Sequence, residues 1–510
     1  MRVLLLNPKT LYENWPAPSD FWRCFARVAS ATLPQLAAAI SADHHCELFN
    51  GVVDDIGLRE YGDLLSRQDV VGINVCASNV ALNTEITARL IKRIAPQTRV
   101  VLGGHHATAY HDEWLSKGAD IVVRGEGELT FAALIDALQA GQDLAAIDGI
   151  SYHDGHRVVT TPERAFISDL DTLPMPRWEL HPLQRTRYML GGRWAPMALV
   201  ETSRGCTHRC IFCSASAMWR HTQRYKSPGS VLDEIAHLVG LGVNNIGIAD
   251  DNFGSNYDRD MEILERLASS NLDVNMWMFC RADTTLEHPE FVETAARAGL
   301  KEVLIGYEST DEEMLSEYHK GSSRVTGRDY ERVYRTLRNK GVLVFGSFID
   351  GSPLEGATAG SRLDHSDLCD VAMYLNFFPM RETRGYELIR EQGLLATDSF
   401  YYDRLIPSTT TSQALDLEHL ARQILGIASP RKVKQFALDR PYRASMLNIY
   451  LQAARQVACV TPSKLRDFLT AVNPWISPAK RQSRIVRRYT DEPHLDALWR
   501  RARPGAPPQS

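Results

Sequence analysis

Three cysteines, Cys206, Cys210 and Cys213, fall in the run Glu201-Thr-Ser-Arg-Gly-Cys206-Thr-His-Arg-Cys210-Ile-Phe-Cys213. Three thiolates at C-x3-C-x2-C spacing on one loop can each hold one iron of a [4Fe-4S] cube, and the fourth iron then has no protein ligand. Thiolate suits soft, redox-active iron. An iron with an open position can chelate a small molecule through an amine and a carboxylate. The competing readings are a structural zinc site and three unrelated core cysteines. Structural zinc takes four protein ligands. No fourth Cys or His stands at a fitting spacing, although His208 lies between the first two cysteines. The nine cysteines of the chain are sparse and odd in number, which argues against a disulfide framework. Cys24, Cys46, Cys280, Cys369 and Cys459 read as small buried hydrophobes.

The cysteine loop directly follows a β-rich run, ALVETSRG (198–205). Five further strand patterns follow: NIGIADDN (245–252), NMWMFC (275–280), EVLIGYES (302–309), VLVFGSFI (342–349) and VAMYLNFF (371–378). Helical patterns such as VLDEIAHLVGLG (231–242) and EFVETAARAGL (290–300) separate them. Six βα units predict a partial, open (β/α)6 barrel, with chemistry at the carboxyl ends of its strands. The first 140 residues show the same alternation. VLLLN (3–7), CELF (46–49), VVGINV (70–75), VVLGG (100–104) and DIVVRG (120–125) read as strands. Continuous Val, Ile and Leu runs are expected when helices cover both faces. This predicts a Rossmann-like, doubly wound parallel α/β sheet, which binds ligands beyond its carboxyl edge.

The expected domains are therefore a Rossmann-like unit over 1–140, a linker over 141–195, the partial barrel over 196–400 and a helical C-terminal region over 401–490. The linker holds a small hairpin at DGISYHDGHRVV and the proline-rich LPMPRWELHPL. Residues 491–510, ending in RPGAPPQS, are expected to be disordered. A length of 510 residues suits two or three domains. The formal net charge of −5 offers no global attraction for nucleic acid, and the basic run KRQSRIVRR (480–488) reads as a solvated helix face. Hydrophobic residues at 44% and charged residues at 23% exclude general disorder. There is no apolar run of the roughly 20 residues a membrane span needs. The opening MRVLLLNPKT is too short in its apolar part for a signal peptide, so a cytoplasmic location is expected.

The C-x3-C-x2-C loop after a barrel strand resembles the radical SAM superfamily, over about 195–400. The resemblance implies that the open iron binds S-adenosylmethionine by its methionyl amine and carboxylate, and that one-electron reduction yields a 5′-deoxyadenosyl radical. Phe212 matches the aromatic position beside the adenine. Asp250 and Asp251 stand where the family often carries an acidic motif touching the methionyl amine. Arg281 and Glu308, at the ends of the third and fourth strands, match positions meeting the carboxylate or ribose. Gly346 and Gly351 belong to the strand-five motif that passes the adenine, where this chain has Asp350 in place of the more usual apolar residue.

A doubly wound sheet ahead of this barrel resembles the cobalamin-binding radical SAM enzymes. The marks are VLLLNP, DVVGINV, VVLGGHHAT (100–108) and VVRGEGELTF (122–131). The cobalamin fingerprint D-x-H-x-x-G is absent: the turn after strand two reads Asn50-Gly-Val-Val-Asp-Asp-Ile-Gly57, which leaves the lower cobalt ligand unspecified. Cys76, Ala77, Ser78 and Asn79 after strand three, and Gly103, Gly104 and His105 after strand four, are the candidates for lining the corrin and its tail. Gly125, Glu126 and Gly127 fit either a tail contact or plain turn chemistry. His105 and His106 have a second reading as packed loop histidines.

The resemblance implies methylation of an unactivated carbon. One S-adenosylmethionine methylates the cobalamin, a second yields the radical, and the substrate radical takes the methyl group. It also implies an electron donor such as flavodoxin or ferredoxin and a small-molecule substrate, with no nucleic acid partner. Tyr307, Tyr401, Tyr402 and Trp277 could line the substrate pocket, although such aromatics are more often core. The chain is also similar to the anaerobic magnesium-protoporphyrin monomethyl ester cyclase, so oxidation or cyclisation is the alternative outcome. A cobalamin-binding regulator with a dead barrel is opposed by the intact cysteines. An RNA-modifying enzyme of the methylthiotransferase kind is opposed by the charge balance.

Overall fold

The computed structural model describes residues 1–11, 26–190, 193–320, 325–350, 365, 367–396, 400–401 and 478–503. The first sheet has seven strands. β1 (Arg2–Asn7), β4 (His45–Asn50), β5 (Val70–Asn74), β6 (Arg99–Gly103) and β7 (Ile121–Val123) are parallel, in the order β4-β1-β5-β6-β7. Val3 through Leu6 are all buried, because helices cover both faces of the sheet. The hairpin expected in the linker is present as β8 (Ile150–His153) and β9 (Val158–Thr160). It extends this sheet antiparallel from β7, so the first domain runs on to about residue 160 and past the expected boundary at 140.

The second sheet is the open barrel. β12 (Met197–Val200), β15 (Asn245–Phe253), β16 (Asn275–Cys280), β17 (Leu300–Glu308), β18 (Leu343–Asp350) and β19 (Val371–Asn376) are its six expected parallel strands. A seventh was not legible in the sequence: the two-residue β3 (Ala29–Ser30) lies parallel to the outer side of β12. β3 comes from the crossover between β1 and β4, so the first domain supplies the edge strand of the second. The neighbouring β2 (Ala26–Arg27) pairs with β10 (Arg187–Leu190), which also pairs with β11 (Arg193–Ala195). A two-stranded hairpin, β13 (Ser203–Gly205) and β14 (Gln223–Tyr225), brackets the cysteine loop.

Two C-terminal helices, Pro478–Thr490 and Glu492–Ala502, pack back on the first domain, where Leu495, Leu498 and Ala502 join the core of Tyr61 and Leu65. The expected disorder at 491–510 is thus corrected for 492–502. Apolar residues at 495 and 498 share one helix face, and the first domain offers that face a partner. The basic run at 480–488 lies on the first of these helices with Lys480, Arg484 and Arg487 exposed, as a solvated face requires. Residues 402–477 of the helical region expected over 401–490 lie outside the described residues, as do Cys24, Cys459, Gly351 and Tyr402. Cys46, Cys280 and Cys369 are buried as expected, and burial pushes the first two thiols up to about 12. Among the described residues no helix is long and apolar enough to cross a membrane.

Candidate functional site

The cysteine loop is held from both ends. Gly205 has φ +94°, and a Cβ there would collide with the Thr222 carbonyl and the Trp219 side chain, so the strand can turn into Cys206 only at glycine. Cys213 N–H donates to Cys210 O at 3.1 Å, closing a turn. Ile211 N–H donates to Tyr318 O at 3.1 Å and Gly385 N–H donates to Ile211 O at 2.8 Å, which pins the loop to the barrel. Beneath it Ile211 packs with Met314, Tyr318, Phe377 and Ile389.

Cys206, Cys210, Phe212 and Cys213 line one cavity of about 490 Å³ at the carboxyl ends of the barrel strands. Burial raises the pKa of the Cys206 and Cys210 thiols; the charges of Cys213 and Cys210 raise Cys206 further, and those of Cys213 and Glu308 raise Cys210 further. Arg281 acts in the opposite sense on both, and Lys320 on Cys210. Among the described residues no three His, Cys, Asp or Glu side chains close on a point that would hold a single metal ion. Three thiols of one loop that border a single cavity have the donor chemistry a [4Fe-4S] cube takes. Phe212 stands edge-on to Tyr318, with ring centroids 5.5 Å apart, and borders the same space.

Asp250 and Asp251 divide. Asp250 is buried and accepts from Thr202 N–H at 2.7 Å, Thr202 Oγ1–H at 2.6 Å and Ser203 Oγ–H at 2.6 Å. It ties the end of β12 to β15 and does not reach the cavity, contrary to the expectation that either aspartate faces the ligand. Asp251 lines the cavity, accepts from Gly205 N–H at 3.2 Å, and is pushed up to about 6, by burial first and then by the charge of Asp250.

Arg281, at the end of β16, meets Asp283 through Nε at 3.0 and 3.1 Å and through Nη2 at 2.8 Å, and its Nη2 donates to Lys320 O at 3.1 Å. Glu308 ends β17 with φ +63°, an uncommon value for a residue with a side chain, and meets Lys320 Nζ at 3.3 Å. Both line the cavity. Lys320 was not anticipated. It sits in a stretch without periodicity, and only the fold brings it between Glu308 and the cysteines. Gly346 is a correction. Its missing Cβ faces Cys369 and Tyr307, behind the strand, while its neighbour Ser347 lines the cavity. Strand alternation sends 346 and 347 to opposite faces.

A second cavity, of about 400 Å³, lies beyond the carboxyl ends of the first sheet. Gly103, Gly104, His105, Gly125, Glu126 and Gly127 border it, as does Cys76. Gly125 has φ +74° and would place a Cβ in open space, so its turn leaves room for a ligand. The Cys76 thiol is accessible from the cavity yet closely surrounded by protein, and burial raises its pKa. His105 Nε2 is a buried polar atom with no hydrogen-bond partner among the described residues, and burial holds the ring down to about 4. A neutral imidazole with an unmet polar atom, in a glycine-walled cavity, is suited to a large polar ligand. Ser78 and Asn79 lie off the cavity: Ser78 is buried in the short turn Ser78–Val80 and Asn79 is exposed. His106 is structural. Its Nδ1 accepts from Trp114 Nε1–H at 3.1 Å, so its Nε2 carries the proton and donates to Phe400 O at 2.8 Å.

Of the aromatic candidates, Tyr307 and Tyr401 are core and Trp277 is half-buried. Tyr307 is fully buried and donates to Leu368 O at 3.0 Å. Trp277 packs against Phe279, 4.7 Å between centroids, and does not border either cavity. Tyr401 packs on the first domain and hydrogen-bonds Glu85 and Lys117. The two cavities are neighbours. Ala215 and Asp251 line both, and Trp219, Glu201 and Arg204 of the barrel side border the first-domain cavity.

Comparison with known proteins agrees with this division. A Radical SAM superfamily model matches residues 200–356 and a B12 binding domain model matches 63–135. An uncharacterized methyltransferase of Pyrococcus horikoshii is 29% identical over 83% of this chain and 89% of its own. The anaerobic magnesium-protoporphyrin IX monomethyl ester cyclase of Synechocystis is 28% identical over 79% of this chain and 80% of its own. The solved structure of the radical S-adenosylmethionine methyltransferase TsrM from Kitasatospora setae, with cobalamin and a [4Fe-4S] cluster bound, superimposes with a TM-score of 0.60 at 18% identity. It covers 98% of each chain, a likeness of fold. The chain thus joins a B12-binding domain, with its glycine-walled cavity, to a radical SAM domain whose cysteine loop faces the adjoining cavity.

Proposed function

We propose that the protein methylates an unactivated carbon of a small molecule, using S-adenosylmethionine, a [4Fe-4S] cluster and cobalamin. The observation that carries this reading is the shared wall of the two cavities, where Asp251 and Ala215 border both. When bound, the cluster supplies the electron that breaks a C–S bond of S-adenosylmethionine and the corrinoid supplies a transferable methyl group.

The chain's own residues divide the remaining work. Cys206, Cys210 and Cys213 hold three irons and leave the fourth to the methionyl group. Asp251 receives the methionyl amine, which restores the charge its burial penalises. Arg281 and Glu308 meet the methionyl carboxylate and the ribose, with Lys320 and Asp283 holding them in place. Phe212 lies beside the adenine. Phe279, Leu304, Met373 and Leu375 border the same cavity. They offer no polar hydrogen and exclude water, which protects a radical. Gly103, Gly104, Gly125 and Gly127 let backbone lie close to the corrin tail, and His105 Nε2 meets one of its polar groups. The electron arrives from a flavodoxin- or ferredoxin-like donor, and the setting is the cytoplasm.

The test is anaerobic reconstitution of the full chain with iron, sulfide and hydroxocobalamin. The expected result is retained corrin bands after desalting, and a broad iron–sulfur absorption that the Cys206→Ala, Cys210→Ala, Cys213→Ala triple variant loses. Methyl-labelled S-adenosylmethionine and candidate metabolites then report transfer. Absence of corrin retention, or label that never reaches carbon, overturns the proposal.

A further inference from the structure

Glu126 borders the first-domain cavity, but protein donors engage both oxygens of its carboxylate. Oε1 accepts from Arg204 Nη1 at 2.7 Å, both oxygens accept from Arg224 Nη1 at 2.9 and 3.0 Å, and Oε2 accepts from Ile167 N–H at 2.6 Å. The two arginines belong to the hairpin that brackets the cysteine loop. They are directly opposite one another in its register, Arg204 on β13 and Arg224 on β14. Like charges in that position repel and splay a two-stranded ribbon. Arg204 is itself buried, 6% exposed, and its other nitrogens meet Glu128 and Glu201, both at 2.5 Å. Arg224 is sandwiched between Phe166 and Trp219, with its carbon 4.7 and 5.1 Å from the ring centroids, and its Nε and Nη2 have no partner among the described residues. The paired guanidiniums are therefore held together by an anion that the other domain supplies.

That anion stands between Gly125 and Gly127, in the turn that walls the first-domain cavity. The hairpin it grips ends at Gly205, and the next residue is Cys206. On the far side of the cysteines, Ala215, Met218 and Trp219 border the same first-domain cavity. We infer that Glu126 is a positioning residue through which occupancy of the first-domain cavity by a corrinoid is coupled to binding of S-adenosylmethionine at the cysteine loop. The inference rests on the function proposed above. A ligand against the 125–127 turn orders it, the carboxylate transmits that order to both arginines, and the hairpin sets the entry of Cys206. Coupling of this kind is reciprocal by thermodynamic necessity. Glu126 touches neither ligand in this account, so it is not a catalytic residue.

The experiment uses the full chain, reconstituted anaerobically with iron and sulfide. The affinity for labelled S-adenosylmethionine is measured by equilibrium dialysis with and without saturating hydroxocobalamin. The wild-type protein is expected to bind S-adenosylmethionine roughly five- to tenfold more tightly with the corrinoid present. Hydroxocobalamin affinity should rise by the same factor when S-adenosylmethionine is added. Glu126→Gln, which keeps the shape and removes the charge, is expected to bind both ligands with the ratio reduced to about one to two. A wild-type ratio of one, or a Glu126→Gln ratio equal to the wild type's, overturns the inference while leaving the proposed function standing. If Glu126→Gln loses its iron, Arg224→Lys takes its place, with a reduced ratio expected and an unchanged ratio overturning. A wild-type protein that binds neither ligand overturns both readings.

Discussion

Asp250 and Asp251 are adjacent at the end of one strand, and their environments set their roles. The first carboxylate is surrounded by three donors and acts as a clasp between β12 and β15. The second receives the Gly205 N–H and a Trp219 side-chain hydrogen bond and otherwise faces the cavity, where burial and then the charges of Asp250 and Glu201 outweigh those two donors. Its folded pKa of about 6 lies above the ordinary 3.8. Between those values the folded state binds the extra proton, so stability falls as pH rises, and the full penalty is present above about pH 6. Asp251→Asn should therefore raise the thermal midpoint of the cofactor-free protein at pH 7.5, with the gain shrinking below pH 5. The same variant should weaken S-adenosylmethionine binding at least tenfold. Calorimetry at two pH values and dialysis check the pair of effects, and a variant no more stable than wild type at pH 7.5 would remove the argument. His105 gives a cleaner case. Its unmet Nε2 predicts that His105→Ala lowers hydroxocobalamin affinity by roughly 5- to 100-fold, the range for loss of one buried hydrogen bond, while iron content stays at the wild-type level.

The elements show how little regular structure the site itself contains. Three strands of three or fewer residues, β3, β13 and β14, carry the edge of the barrel and both flanks of the cysteine loop. Each is too short for periodicity to reveal, and each is held by a neighbour distant in sequence. The C-terminal helix Glu492–Ala502 is the opposite case. Its apolar face is regular, with Leu495, Leu498 and Ala502 buried, and Asp491 caps its start by accepting from His494 N–H at 3.1 Å. Gly62 packs against Ala502 so closely that a Cβ there would strike the Ala502 carbonyl. Leu498→Ala should cost about 2–4 kcal/mol, read as a lowered urea midpoint with an unchanged slope. An undiminished midpoint would mean that the helix does not dock in solution.

The whole molecule is stitched at several places between its two sheets. The β1–β4 crossover lends β3 to the barrel, the chain after the barrel returns Phe400 and Tyr401 to the first domain, and Arg381 reaches Glu113 from the barrel side. Phe400 packs on His106, Tyr110 and Trp114. The barrel sheet takes its edge strand from the first domain, and the first domain's core takes side chains from segments beyond the barrel. Unfolding in denaturant should therefore be one transition, with far-ultraviolet circular dichroism and tryptophan fluorescence giving coincident midpoints. Two separated transitions would show that the domains are independent.

Both sheets and their order were legible because they depend on local signals. Continuous apolar runs specify strands covered on both faces, and three cysteines within one loop specify a ligand set whose members are already neighbours along the chain. The glycines at 103, 104, 125 and 127 were legible for the same reason. Other features were not. Which of Asp250 and Asp251 faces the cavity depends on Thr202 and Ser203, some fifty positions earlier. From the sequence the turn at Glu126 fits a cofactor-tail contact and plain turn chemistry equally, because a short motif cannot reveal that two arginines about 80 and 100 residues away enclose its carboxylate. Gly346 was misjudged because strand direction alone leaves the facing side open. Local order along the chain is enough to choose the chemistry. The direction of each side chain, and the joining of two cavities at one aspartate, are properties of contacts between distant segments, and those exist only once the chain has folded.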